Sequence, residues 1–319
     1  MLRRSIVACL GVAAVVGSAQ LFAQLPRPLI PLPGDGNRVT PFFDGWYENP
    51  DGTITFSFGY SNLNKDRVVE IPLGPDNVIT PKEYDGRQPT TFLVVGPDLA
   101  DGGGGGGAAR LPAVSPATSA ARAPGAGGGT VASQRDRERG VFTVTVPAGF
   151  KGDVVWTLRY AGQTHAVPAR SRSTSYQLSW PAAMGSTPPL LRFAEKGPAG
   201  RGPTGSQAPA LQAKVGAPME LKIWLTDDAV HDKEPIKFGR ERPGMNVTWT
   251  KYSGPGEVTF EPAKTGFPAL TGPAATQATF AAPGEYVIRV KADAFGYSDS
   301  SAGNQCCWTN GYQKVTVTR

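Results

Sequence analysis

Histidine and cysteine are nearly absent. The 319 residues include two histidines, His165 and His231, and three cysteines, Cys9, Cys306 and Cys307. Zinc-type sites draw several Cys or His ligands from one neighbourhood, and so thin a supply excludes them. Nucleophilic hydrolysis needs a base beside its serine or cysteine. Gly296-Tyr297-Ser298-Asp299-Ser300 half-matches a nucleophile elbow, but it ends in serine and no helix follows it. No acidic pair lies in an aromatic-rich groove motif of the kind a glycosidase uses. Helical periodicity is also missing after the N-terminus, as is any apolar run long enough to span a bilayer as a helix.

The charge excess is small. The formal net charge of +6 falls to +4 when Arg3 and Arg4 are removed, and no Lys/Arg cluster interleaves with aromatics, so nucleic acid is not an expected partner. Arg135-Asp136-Arg137-Glu138-Arg139 alternates in sign and reads as the solvated edge of a segment.

Glycine and proline are plentiful. Their 40 and 30 residues exceed a fifth of the chain and give turns an unusual share of it. At the N-terminus, Arg3 and Arg4 precede an apolar run from Ile6 to Val16 and small residues with cleavage positions after Ala19 or Ala23, the pattern of a signal peptide over 1–23. Cys9 has too little upstream of it to serve as a lipid-attachment cysteine. Residues 24–37, rich in Pro and Gly, read as an extended leader.

The rest alternates with a period of two, the signature of strands with one buried face. A first domain is expected over 38–180. Asn49-Pro50-Asp51-Gly52 is turn chemistry, and the strand after it buries Ile54, Phe56, Phe58 and Tyr60 while showing Thr53, Thr55 and Ser57. Phe142, Val144 and Val146, then Val154, Trp156, Leu158 and Tyr160, make further faces, and Ala161-Gly162 joins the second of these to Gln163–Val167 as a tight hairpin. Tyr176, Leu178 and Trp180 form one more. Residues 99–138 have no aromatic and carry Gly102–Gly107 and Gly127–Gly129, too little apolar surface to offset ordering entropy, and read as a disordered insertion. Residues 181–210, with Pro188-Pro189, Gly197-Pro198 and Gly202-Pro203, read as a semi-rigid linker.

A second domain is expected over 211–319. Met219, Leu221, Ile223 and Leu225 alternate with Glu220, Lys222, Trp224 and Thr226. After Pro283-Gly284, Tyr286, Ile288, Val290 and Ala292 are expected on a buried face, with Val287, Arg289 and Lys291 toward water. About seven strands at this spacing predict a sandwich, so the fold class is all-β, with two immunoglobulin-like β-sandwich domains.

Val247-Thr248-Trp249, Ser253-Gly254-Pro255-Gly256-Glu257-Val258-Thr259-Phe260, Ala278-Thr279-Phe280, Pro283-Gly284-Glu285-Tyr286-Val287-Ile288-Arg289-Val290 and Val315-Thr316-Val317-Thr318 together resemble the PKD-type immunoglobulin-like domain of extracellular bacterial proteins. Asp227-Asp228 falls where such domains often carry an acidic turn. The chain departs from the pattern in two long segments, Ala229–Gly244 and Asp293–Gly311. The resemblance implies adhesion, spacing or carbohydrate-associated roles without a common chemistry. The run Gly45-Trp46-Tyr47-Glu48-Asn49-Pro50-Asp51-Gly52 is similar to one in other secreted bacterial proteins and implies no function.

Four groups of residues are site candidates. Cys306 and Cys307 are adjacent, about 3.8 Å apart at Cα across a trans peptide. In an exported chain they are expected as a vicinal disulfide; the alternatives are pairing between molecules or two buried thiols. Asp227 and Asp228, with His231, Asp232 and Asp293 or Asp299, offer oxygen ligands for calcium without EF-hand spacing, against the plainer reading of an Asp-rich turn bonded to its own backbone. Trp46, Tyr47, Tyr297 and Trp308 lie in or beside loops at sandwich ends, where recognition is usually placed. The alternative is that aromatics such as Trp46 and Tyr312 cap the cores. No catalytic residue and no cofactor is assigned. The reading is an exported, non-catalytic binding or structural protein, secreted or periplasmic, whose partner is a protein or a glycan. The alternatives are an accessory subunit of a carbohydrate-active enzyme or a subunit of an envelope assembly.

Overall fold

Alternating side chains become 18 β-strands among the described residues. The computed structural model describes residues 38–64, 67–94, 137–171, 174–179, 187–229, 244–294 and 307–319. The signal segment, the leader, the insertion up to residue 136, Trp180, His231, Asp232, Tyr297, Asp299 and Cys306 lie outside them.

The first half holds β1 (Val39–Glu48), β2 (Ile54–Asn62), β3 (Val69–Glu70), β4 (Asn77–Thr80), β5 (Thr91–Phe92), β6 (Glu138–Val146), β7 (Val154–Tyr160) and β8 (Gln163–Ala169). Two antiparallel sheets, ordered β1-β2-β6 and β4-β7-β8, enclose a core rich in aromatics, and β3 pairs with β5 beside them. Trp156 lies edge-on to Phe142 at 5.0 Å and to Phe58 at 6.2 Å, the geometry that aromatic quadrupoles favour. The expected turns form. Gly52 donates to the Asn49 carbonyl at 2.9 Å with φ +80°, and Asp51 Oδ1 accepts from the Thr53 amide at 3.0 Å. Ala161 and Gly162 both take positive φ, as a two-residue hairpin that follows strand twist requires.

Three expectations in this half are corrected. Thr55 and Ser57 are buried along with Phe56 and Phe58: Thr55 Oγ1 pairs with Thr145 Oγ1 at 3.0 Å, and on the same face Thr204 bonds their strand neighbours Tyr47 and Thr143. The segment at Tyr176 is a 3-10 turn over Thr174–Tyr176 instead of a strand, with Tyr176 exposed and Leu178 buried. Arg137 and Glu138, assigned to the insertion and to a solvated edge, are ordered, and Glu138 opens β6.

The second half holds β9 (Leu190–Arg192), β10 (Ser206–Gln207), β11 (Leu211–Lys214), β12 (Met219–Thr226), β13 (Met245–Ser253), β14 (Val258–Glu261), β15 (Lys264–Phe267), β16 (Thr271–Phe280), β17 (Gly284–Asp293) and β18 (Trp308–Thr318). A four-stranded sheet, β14-β16-β12-β9, faces a larger one in which β18-β17-β13-β15 are joined at the β18 edge by parallel β10 and β11. This is immunoglobulin-like connectivity, with the second and fifth core strands in one sheet and the third, sixth and seventh in the other. Its hallmarks are present: Trp249 is buried on the third strand, and Tyr286 OH donates back to the Ala282 carbonyl at 2.8 Å as a tyrosine corner. Gly254 takes φ +139° under that ring, where a Cβ would meet Tyr286 Cδ1 at 2.2 Å. Residues expected to be a spacer are woven into these sheets: β9 extends the four-stranded sheet and β10 the larger one, while Leu191 enters the core. Proline and glycine here shape crossings between paired strands, a use that composition does not distinguish from a linker.

Candidate functional site

The two sandwiches meet on a polar seam, and β17 is where the expected pattern fails. Its Tyr286, Ile288, Val290 and Ala292 do enter the second core. The opposite face is largely covered: Arg289 is 5% exposed, and Val287 and Lys291 are half-buried. Its guanidinium donates through Nη1 to Glu138 Oε1 at 2.8 Å and through Nε to Asn310 Oδ1 at 3.0 Å. Lys291 Nζ adds a second cation 3.8 Å from the same carboxylate oxygen. Burial alone would raise the Glu138 pKa, but Lys291 and Arg289 outweigh it and hold the carboxyl below its ordinary value. For Arg289, burial opposes the charge while Glu138 and the neighbouring phenols favour it, and the net shift is upward. Both partners therefore remain ionised.

Asn310 ties the pair to the backbone. Its Nδ2 donates to the carbonyls of Gly140 at 2.7 Å and Pro203 at 2.9 Å. Two residues on, Tyr312 OH donates to the Val141 carbonyl at 2.6 Å, and burial lifts that phenol to about 12. The Tyr312 ring meets Tyr252 at 5.4 Å, nearly perpendicular, and both belong to the first core although they come from the second half. Tyr252 OH also donates to the Arg87 carbonyl, and Lys251 Nζ lies 2.8 Å from Glu70 Oε1.

Asp44 lies at the inner end of the seam. The β1–β2 register slips between Phe43 and Gly45, making Asp44 the extra residue of a β-bulge. Its side chain is 1% exposed. Oδ2 accepts the Gly140 amide at 2.9 Å, and Oδ1 is 3.9 Å from Arg137 Nη2. Burial raises this carboxyl to about 6, against the downward pull of the Gly140 amide, Arg137 and Arg139. Arg137 also stacks on Phe42, 3.6 Å from the ring centroid.

Of the aromatics expected at sandwich ends, Trp46, Tyr47 and Trp308 are interior. Trp308 is fully buried against Gly140, whose φ is +53° and whose Cβ, if it had one, would be 2.5 Å from Trp308 Cζ2. Lys291 Nζ is 5.2 Å from the Trp308 ring. Trp46 and Tyr47 are buried in or over the first sandwich, and the Tyr47 hydroxyl is bonded to Thr204 at 3.0 Å. Tyr297 lies outside the described residues. Trp224, which sequence reasoning placed only as the outward member of an alternation, keeps partial exposure on the outer face of β12, with Lys222 Nζ 5.1 Å from its ring and Arg192 opposite on β9.

Asp228 is held by Arg201 in a two-point grip, Nη1–Oδ1 at 3.0 Å and Nη2–Oδ2 at 2.6 Å, which holds its pKa down. Asp227 Oδ1 accepts the Ala229 amide at 3.2 Å, the bond of an Asp turn. No group of three or more His, Cys, Asp or Glu able to hold a metal occurs among the described residues. Cys307 is buried and disulfide-bonded. Cys306, its expected partner, lies outside the described residues. His165 lies on β8 with its ring nitrogen 3.1 Å from Gln163 Oε1, and burial lowers its pKa.

No protein-family model matches the chain, and no curated protein sequence matches it. Among solved structures it is similar to domains 4 and 5 of the S-layer protein SbsC, at 14% identity and TM-score 0.23 over 55% of this chain and 69% of that one. It is also similar to the D0-D1 domain of intimin, at 11% and 0.23 over 88% and 97%, and to the Yersinia pseudotuberculosis adhesin InvE, at 11% and 0.22 over 90% and 61%. No helix among the described residues is long and apolar enough to cross a membrane. The class that connectivity and core define is an all-β protein built on immunoglobulin-like sandwiches.

Proposed function

We propose that this chain is an exported, non-catalytic protein of the bacterial cell exterior with an adhesive or structural role, and that its second sandwich is of the PKD type. The observation that carries the reading is the Arg289–Glu138 seam. These largely buried charges join two sandwiches into one body instead of lining a cleft, as suits a part that holds position or bears load. The signal-like N-terminus agrees with export. Recognition of a glycan or a surface protein is assigned to the outer face of the second sandwich, where Trp224 offers a ring for stacking between Lys222 and Arg192.

The test is fractionation and surface proteolysis of producing cells, combined with binding and turnover assays on envelope polysaccharides. Recovery in the exterior fraction, with saturable binding weakened by Trp224→Ala and no turnover, is expected. Release of reducing sugar, or retention in the cytoplasm, overturns the reading.

A further inference from the structure

Asp44, Gly140 and Asn310 form a chain of contacts that crosses the seam. One peptide unit carries it: the Gly140 amide donates to Asp44 Oδ2 at 2.9 Å, and the Gly140 carbonyl accepts from Asn310 Nδ2 at 2.7 Å. Asn310 Oδ1 then accepts from Arg289, which grips Glu138. We propose that Asp44 is a pH-operated latch on this seam: protonated, it stays buried and the Gly140 peptide keeps its place against Asn310; ionised, the cost of its burial outweighs the stronger bond it then accepts from the Gly140 amide, and the seam opens locally to water.

Geometry makes the carboxyl a sensor. It projects from a bulge into a space with no room for a hydration shell: a Cβ at Gly59 would be 2.8 Å from Asp44 Oδ2, and Trp308 closes the far side of Gly140. Oδ1 has no hydrogen-bond partner among the described residues. Its nearest cation, Arg137, stands 3.9 Å away while stacked on Phe42. An ionised Asp44 is therefore a buried charge with one hydrogen bond and a distant counter-ion, a costly arrangement. Relief requires Arg137 to leave Phe42 or water to enter beside the Gly140 peptide, which Asn310 holds from the other side.

The charged neighbours set where this happens. Arg137 and Arg139, flanking the start of β6, favour ionisation, while Glu138 between them opposes it. From β17, Arg289 and Lys291 spend their charge on Glu138. From β2, the uncharged Gly59 lies at the contact. Burial dominates the balance, and Asp44 exchanges its proton with solvent near pH 6, within the range met outside a cell.

The experiment uses the exported chain and its Asp44→Asn variant, with thermal unfolding and amide exchange at pH 5 and pH 7.5. Carboxyl-carbon NMR of Asp44 in the wild type is recorded alongside. The wild type is expected to lose about 5–10 °C in Tm between the two pH values relative to the variant. Gly140 and Asn310 amides should show excess exchange at pH 7.5, beyond base catalysis, that Asp44→Asn removes. His165 contributes equally to both proteins, so the difference between profiles isolates Asp44. Identical pH profiles in the two proteins overturn the latch. If the variant does not fold, an Asp44 carboxyl titrating near 4 in the wild type overturns it equally. None of these readouts depends on what the protein binds.

Discussion

The Arg289 guanidinium and the Glu138 carboxylate, 151 residues apart in the chain, meet at 2.8 Å across the seam, and neither has a full share of water. Removing one member of such a pair leaves the other charged and buried, which costs about 3–5 kcal/mol. Glu138→Gln and Arg289→Met are each expected to lower stability by that order in denaturant unfolding. The double variant should recover much of the loss, since two uncharged partners need no compensation.

Gly140→Ala combines two penalties, a left-handed φ of +53° and a Cβ 2.5 Å from Trp308. A loss of about 2–3 kcal/mol is expected, together with a change in tryptophan emission as Trp308 is displaced. Gly162→Ala has positive φ but open space around it. Its loss should stay near 1 kcal/mol, the backbone share alone.

Stability should peak in mild acid. The folded Asp44 carboxyl is raised from 3.8 to about 6, so its contribution is complete below about 4 and lost as pH rises through about 6. The two-unit shift corresponds to about 3 kcal/mol. Glu138 is lowered from 4.5, so its contribution is present above that value and lost as pH falls through the folded one. Urea unfolding at half-unit pH steps should show both limbs, and Glu138→Gln should flatten the acid one while moving the Asp44 limb toward lower pH, because Glu138 helps to raise that carboxyl.

Cys307 is expected to pair with Cys306. Intact-mass measurement before and after reduction should show a monomer that gains two hydrogens, with no free thiol alkylated beforehand. A disulfide-linked dimer would refute the vicinal pairing.

Calcium should leave the melting temperature unchanged, as should a chelator, because Arg201 already occupies both Asp228 oxygens. Arg201→Ala frees that carboxylate and should shift the melting temperature without creating calcium dependence.

The strands of both sandwiches were legible because alternation and turn chemistry are local: Ile54–Tyr60, Val154–Tyr160 and Tyr286–Ala292 each announce one buried face. The seam was not legible, because a second buried face looks like a solvated one whenever its partner is distant. Arg289 and Lys291 read as surface charges, and Glu138 as part of a solvated run. Trp308, Trp46 and Tyr47 were open to two readings, since a large ring beside a loop looks alike whether it caps a core or greets a ligand; Trp46 and Tyr312 follow the core-capping alternative. One signal was available: Trp308, Asn310 and Tyr312 occupy alternate positions on β18, too bulky a set for a face meant for water. Residues 181–210 read as a linker for a related reason, because crossings between packed strands and free linkers use the same residues.

The parallel and antiparallel partners of β18 also set an order of events. The chain is made from its N-terminus, and domains generally fold as units in that order. The first sandwich has all eight of its strands once Ala169 is available, yet Tyr252 and Tyr312, which complete its core, come later in the chain. Until β17 and β18 arrive, Tyr60 and Glu138 have no cover from the second half. Closing contacts this distant in sequence is slow. The unfinished first half is therefore the species that a holding chaperone or a protease would meet, and it exists for as long as the chain after Ala169, nearly half of the whole, takes to appear.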